Sequence, residues 1–137
     1  MKGLVITGGM LGAAILGLGF WWMAQGSDVG SDGLPLEVAV PELRGPAKRG
    51  AELFAESCAT CHGENAAGSG QGPPLVHRIY EPGHHADFSF YRAVRQGVRA
   101  HHWNFGDMPA VAGVSDAEID RIVAYVRALQ RANGIGG

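Results

Sequence analysis

The chain has 137 residues, room for one small domain plus an appendage. Hydrophobic residues make up 46%, charged residues 18%, and the net charge is −2, which excludes a basic nucleic-acid arm and a strongly acidic disordered chain. Two cysteines only three positions apart exclude a multi-disulfide scaffold and cannot cross-link distant parts of a fold.

The mean hydropathy of +0.01 averages two unlike pieces. From Gly3 to Ala24 there is no charged residue. As a helix this stretch would reach roughly 33 Å, enough to cross a hydrocarbon core of about 30 Å. Lys2 precedes the run, Asp28 and Asp32 follow it, and the next cation is Arg44. The positive-inside rule then keeps the N-terminus in the cytoplasm and exports the rest. The alternative is a cleaved signal peptide, with Ala24 and Gly26 at the cleavage site. The length of the run and its closing Trp21–Trp22 pair favour a retained anchor over residues 1–25. Gly8, Gly12, Ala13 and Gly17 fall at helical spacing and offer a small-residue face to another membrane helix. They also fit the general abundance of glycine in such helices.

Residues 26–45 read as a linker, with four glycines, prolines at 35 and 41, and no helical period. A flexible coil of that length spans about 25 Å. The apolar stretch Leu34–Val40 is able to lie along a partner or along the domain itself.

Residues 46–137 form the expected soluble domain. Pro46 suits a first helical position, with Ala47, Leu53 and Phe54 giving apolar contacts before Cys58. Gly63 to Gly83 is rich in Gly and Pro and reads as loop. Asp87–Ala100 reads as a helix, with Phe88, Tyr91, Val94 and Val98 on one face and Arg92, Arg95 and Arg99 as a basic stripe on another. A loop carries Gly106 to Gly113. The last helix starts at Ser115, where Glu118 completes a capping box, carries Ile119, Ile122, Val123, Val126 and Leu129 on one face, and stops before Gly134. No strand pattern and no internal repeat occur, so the expected fold is all-α.

Cys58-Ala59-Thr60-Cys61-His62 is the most informative string. C-x-x-C-H is the spacing of a c-type haem attachment site. On one helical turn the two thiols can each bond a vinyl-derived carbon while His62 presents its imidazole to the iron. A redox dithiol and half of a zinc site are the alternatives. The first usually sits in a βαβ pattern, absent here, and the second needs further ligands. Met108, in Gly106-Asp107-Met108-Pro109, is the one methionine outside the anchor region and the candidate sixth ligand. A thioether there favours ferrous iron and leaves no open coordination site. The plain alternative is a gap-filling methionine.

These features together resemble a class I c-type cytochrome, and the whole chain resembles a membrane-anchored bacterial one with a single haem. The likeness runs from about Arg49 to Gln130. It includes Gly50 and Phe54 before the CATCH string, Gly72-Pro73-Pro74-Leu75 after it, the Met108 loop, and Tyr125 in the last helix. The resemblance implies that Gly50 lets the first and last helices cross closely beside Tyr125. It also implies that the Pro73 carbonyl accepts the proton on the other nitrogen of His62, fixing its tautomer and strengthening it as a ligand.

Five other histidines remain, His77 and the pairs His84–His85 and His101–His102. They fit an alternative axial ligand in place of Met108, a copper site, a contact to a haem propionate, or solvated loop positions. Trp103 reads as packing near the haem edge rather than as a redox relay. The arginine stripe fits steering toward an acidic partner, or an ordinary solvated face.

The expectation that follows is a monohaem electron carrier, not an enzyme, holding haem c covalently through Cys58 and Cys61. It would sit in a bacterial inner membrane with its haem domain in the periplasm. By resemblance, its partners would be a quinol-oxidising complex as donor and a terminal oxidase or photosynthetic reaction centre as acceptor, with no nucleic acid and no small-molecule substrate. The alternative is a haem c subunit fixed inside a larger membrane oxidoreductase. The net charge divides as +1 from Lys2, −3 from the linker and zero from the domain, where nine basic side chains match nine acidic ones. Steering would therefore come from patches.

Overall fold

The computed structural model describes residues 37–136. The expected anchor and the linker through residue 36 lie outside the described residues. Among the described residues no helix is long and apolar enough to cross a membrane.

The expected helical architecture is present. Its helices are α1 (Gly45–Ser57), α2 (Ala59–His62), α3 (Asp87–Gln96) and α4 (Asp116–Ala132), with 3-10 turns at Glu64–Ala66 and Arg78–Tyr80. Helix α1 starts one residue earlier than expected, so that Pro46 sits in the first turn, where its missing N–H removes no helical bond. Helix α4 opens as anticipated, with the Ser115 N–H and hydroxyl donating to the Glu118 carboxylate at 2.8 and 2.7 Å. It closes in a Schellman motif, in which Ile135 N–H donates to the Gln130 carbonyl and Gly134 N–H to that of Arg131.

Helices α1 and α4 pack directly against each other. Ile119, Ile122, Val123, Val126 and Leu129 recur at helical spacing and bury one face of α4 against Leu53 and Phe54 of α1. Full burial of each such side chain contributes about 1.5–3 kcal/mol. The backbones meet at Gly50, where a Cβ would lie 1.9 Å from the Arg121 carbonyl oxygen and 3.0 Å from Tyr125 Cβ. One turn on, the Phe54 and Tyr125 rings are tilted at 59° with centroids 5.5 Å apart. The close crossing implied by the resemblance is therefore present.

Helix α3 departs from expectation in three ways. It ends at Gln96 rather than Ala100, because Gly97 takes φ +74° and Val98 turns its backbone toward Met108. Phe88, expected on the buried face, is 70% exposed, and Val94 supplies the burial instead. The arginines form no uniform stripe. Arg95 pairs with Asp116 and donates to the Val114 carbonyl at 2.7 Å, whereas Arg99 lies beyond the helix end.

The described end of the linker lies along the domain, as its apolar character allowed. Val38 and Leu43 pack on the core, and Asn133 exchanges hydrogen bonds with Ala39 N–H and carbonyl at 3.0 and 2.9 Å.

Two polar residues of α4 are buried. Arg127, 6% exposed, pairs with Asp87 at 2.8 Å and donates to the Tyr80 carbonyl, the His85 carbonyl and Gln130 Oε1. Gln130 Nε2 donates to the carbonyls of Leu75 and Tyr80. Together they fasten the irregular segment 75–87 onto α4 with nearly every polar atom partnered, which is what makes their burial tolerable.

Candidate functional site

The CATCH string spans the junction of α1 and α2. The Cys58 N–H closes α1 on the Phe54 carbonyl, and the Cys61 and His62 N–H groups return to the Cys58 carbonyl, so both thiols and the imidazole fall on one tight turn. Both thiols are free, Cys58 half-buried and Cys61 exposed. Burial, reinforced by the neighbouring Cys61, pushes the Cys58 thiol up to about 11.

The loop after this turn is folded back onto it. Gly68 N–H donates to the His62 carbonyl at 2.7 Å, the Ser69 hydroxyl donates to the Cys61 carbonyl at 2.5 Å, and Leu75 N–H donates to Ala66. The Pro73 carbonyl is thereby brought to 2.9 Å from His62 Nδ1. A carbonyl only accepts, so Nδ1 carries the proton and Nε2 is left with its lone pair. Burial depresses the His62 pKa, and the bond to Pro73 partly offsets that. The imidazole is thus held neutral, as a metal ligand must be.

His62 and Cys58 line a cleft of about 470 Å³ together with Pro73, and Met108 lines the same cleft. Its walls include Phe54, Leu75, Ile119, Ile122 and Val123 from the core. Met108 is fixed by its backbone, which exchanges both hydrogen bonds with Val98 at 2.9 Å. Ala100 N–H donates to the Asp107 carboxylate at 2.9 Å, and Val111 N–H to the Val94 carbonyl at 2.8 Å, so the whole loop is braced. All five residues singled out from the sequence (Cys58, Cys61, His62, Pro73 and Met108) therefore belong to the cleft or to the turn beside it.

Support for this site comes from residues outside the candidate set. The apolar spacing puts Val98 on a helix face, yet its backbone anchors the Met108 loop. Arg127 and Gln130 continue the apolar stripe of α4 at i+4 from Val123 and Val126, a register that signals burial. Tyr125 donates from its hydroxyl to Asn65 Oδ1 at 3.1 Å, tying α4 to the turn behind His62.

The histidine pairs, 17 positions apart in sequence, meet in space. Ring centroids lie 5.3 Å apart for His84 and His102, 5.4 Å for His85 and His102, and 4.3 Å for His101 and His102. His85, His101 and His102 reach the rim of the cleft. Burial and three neighbouring imidazoles depress the His102 pKa. His77 stands apart, edge-on to Trp103 at 5.1 Å.

The cleft suits haem. It is apolar, it has the Cys58 thiol and a neutral imidazole at one wall and a thioether among its lining residues, and the indole N–H of Trp103 is buried without a partner. A buried, unpaired N–H costs about 1–3 kcal/mol, and a propionate carboxylate is an acceptor that would relieve it. Cys58 and Cys61 belong, among the described residues, to no group of three or more candidate metal ligands, which speaks against the zinc alternative. Among the described residues, the one group of three or more candidate metal ligands lies elsewhere, at His84, His85 and His102. No solved structure matches the chain.

The family model for cytochrome c matches residues 47–130, well over half of the chain, and spans the CATCH turn, the Pro73 loop, Met108 and most of α4. With two free thiols beside a cleft of this chemistry, the match settles the cofactor as haem c bonded through Cys58 and Cys61, and the activity as haem-based electron transfer. This chain belongs to the cytochrome c family.

Proposed function

We propose that the chain is a membrane-tethered bacterial carrier of the class I type, passing single electrons between membrane-bound complexes, with His62 and Met108 as the axial ligands of its one haem. The ligand assignment rests on the Nδ1–H of His62 being committed to the Pro73 carbonyl at 2.9 Å, which leaves Nε2 as its free donor in a cleft that Met108 also lines. Haem c, when bound, supplies a one-electron couple between ferric and ferrous iron.

The residues of the chain set the conditions for that couple. Cys58 and Cys61 retain the cofactor irreversibly, so a small domain need not enclose it. The Pro73 carbonyl orients the imidazole and raises its basicity. Phe54, Leu75, Ile119, Ile122 and Val123 keep water from the cleft. The Met108 thioether, a soft donor, favours the ferrous state and raises the potential. The Val98 bridge holds that loop in place without help from Met108's own side chain.

The uncharged run Gly3–Ala24 supports the tether, with the N-terminus cytoplasmic and the haem domain periplasmic. Tethering raises the effective concentration of the domain near partners in the same membrane. A quinol-oxidising complex as donor and a terminal oxidase or reaction centre as acceptor fit that placement. The domain carries equal numbers of basic and acidic side chains, which suits weak, brief docking through local patches.

Absorption spectroscopy of the ferric protein tests the ligand set. The weak long-wavelength sulfur–iron charge-transfer band should be present at neutral pH and absent in Met108→Ala. Its persistence in that variant would overturn the assignment. Extraction in mild detergent tests the carrier reading: the chain should emerge alone, whereas emergence only with other chains would make it a fixed subunit of a larger oxidoreductase.

A further inference from the structure

We propose that His84, His85 and His102 form a binding site for one divalent zinc or copper ion at the rim of the haem cleft, distinct from the haem iron. The candidate donor nitrogens of these three residues all lie within 4.8 Å of one another. His84 Nε2 and His102 Nε2 are 3.4 Å apart. Two ligands on a tetrahedral ion with metal–nitrogen bonds of about 2.0–2.1 Å are separated by about 3.3–3.4 Å, so this pair already has the spacing of one tetrahedral edge.

His85 completes the site with a fixed tautomer. Its Nδ1 lies 2.6 Å from the Ile79 carbonyl, which only accepts, so Nδ1 carries the proton and Nε2 is the free donor. An imidazole whose other nitrogen donates to a backbone carbonyl is the usual form of a metal-bound histidine.

The scaffold under the site is firm. His84 and His85 N–H groups both donate to the Glu81 carbonyl, and the His85 carbonyl accepts from the buried Arg127 guanidinium at 2.5 Å. His102 comes from the separate segment that leads to the braced Met108 loop, so an ion would join two irregular stretches across the cleft mouth. His84 and His102 are exposed and His85 half-buried, which gives an ion access from solvent and leaves room for a fourth ligand such as water. Three imidazoles without a carboxylate or thiolate select zinc and copper over magnesium or calcium.

The experiment uses the full chain with its haem attached and adds Zn²⁺ alone, followed by calorimetry, or Cu²⁺ alone, followed by electron paramagnetic resonance. The expected result is one equivalent of ion bound, with superhyperfine couplings from imidazole nitrogens in the copper spectrum. His84→Ala and His102→Ala, both at exposed positions, should each weaken binding by at least the roughly 10–100-fold that follows loss of an outer-shell partner. The double variant should abolish it, and His84→Ala, at a position that does not line the cleft, should leave the haem absorption bands in place. Binding that survives in the double variant, a copper spectrum without nitrogen couplings, or no binding by the parent protein would overturn the site. Ion binding is read separately from the Met108→Ala spectrum that tests the haem ligands, so failure of one is distinguishable from failure of the other.

Discussion

Val98 and Met108 exchange both of their backbone hydrogen bonds, each at 2.9 Å, in an isolated antiparallel bridge. That single pair joins the end of α3 to the loop that presents the methionine. It also explains why α3 stops at Gln96: Gly97 must reverse the chain at φ +74° to bring Val98 alongside Met108.

Gly97→Ala tests this arrangement. The new Cβ would lie 2.4 Å from the Met108 carbonyl oxygen, and Gly97's backbone region costs a non-glycine residue about 1–3 kcal/mol. The variant should retain covalently attached haem, lose stability by at least that amount in a denaturant titration, and show a weakened sulfur–iron absorption band. An unchanged band would mean that the bridge does not control Met108.

Gly50→Ala strikes the crossing of α1 and α4. Its Cβ would overlap the Arg121 carbonyl oxygen at 1.9 Å, and a backbone atom inside a helix cannot swing aside. The helices must separate, loosening the contact of Phe54 with Tyr125. The expected loss is at or above the upper end of the roughly 1–3 kcal/mol typical of overpacking. Chemical denaturation of the holoprotein measures it, and a loss below 1 kcal/mol would show that the crossing yields easily.

Arg127→Ala and Asp87→Ala should differ although the two residues form one ion pair. Removing Arg127 strips its donors from the His85 carbonyl and Gln130 Oε1, while the Tyr80 carbonyl keeps Gln130 Nε2, and each buried acceptor left unpaired costs about 1–3 kcal/mol. Removing Asp87 leaves Arg127 its other acceptors and deletes a side chain that was already largely in solvent. The Arg127 variant should therefore be the less stable of the two by thermal unfolding. Equal losses would mean that the ion pair alone carries the effect.

The capping box at the start of α4 gives a pH dependence of definite sign. Hydrogen bonds from the Ser115 hydroxyl and N–H hold the Glu118 carboxyl below its ordinary value of 4.5. A depressed folded value means that its stabilisation is complete above the unfolded value and is lost as pH falls through the folded one. Between pH 5 and 3 the unfolding midpoint of the parent protein should drop more steeply than that of Glu118→Ala. Parallel curves would remove Glu118 from the acid response.

Much of the haem chemistry was legible in the chain because it is local. Two thiols and an imidazole on one turn need only C-x-x-C-H spacing, and a single methionine after residue 25 left one candidate thioether. The helical faces of α1 and α4 were legible for the same reason, since periodicity of 3.6 residues is written in consecutive positions. The end of α3 was not, because the competing partner of Val98 lies ten residues downstream and the apolar spacing continues through Val98 regardless. Phe88 departs in the same way: its register matches the buried face, but its side chain stays 70% exposed while Phe90 of the same turn packs on the core.

By itself, the sequence determined the cofactor, its attachment and the helical class, since each depends on residues a few positions apart. Tertiary structure alone decided which nitrogen of His62 is free, because that depends on the Pro73 carbonyl arriving eleven residues later. It alone placed the buried Arg127 under the 75–87 segment, and it alone brought His84 and His85 to His102. Hydrogen bonds and metal ligation act over about 2–3.5 Å, and only the folded chain sets distances of that order between residues remote in sequence.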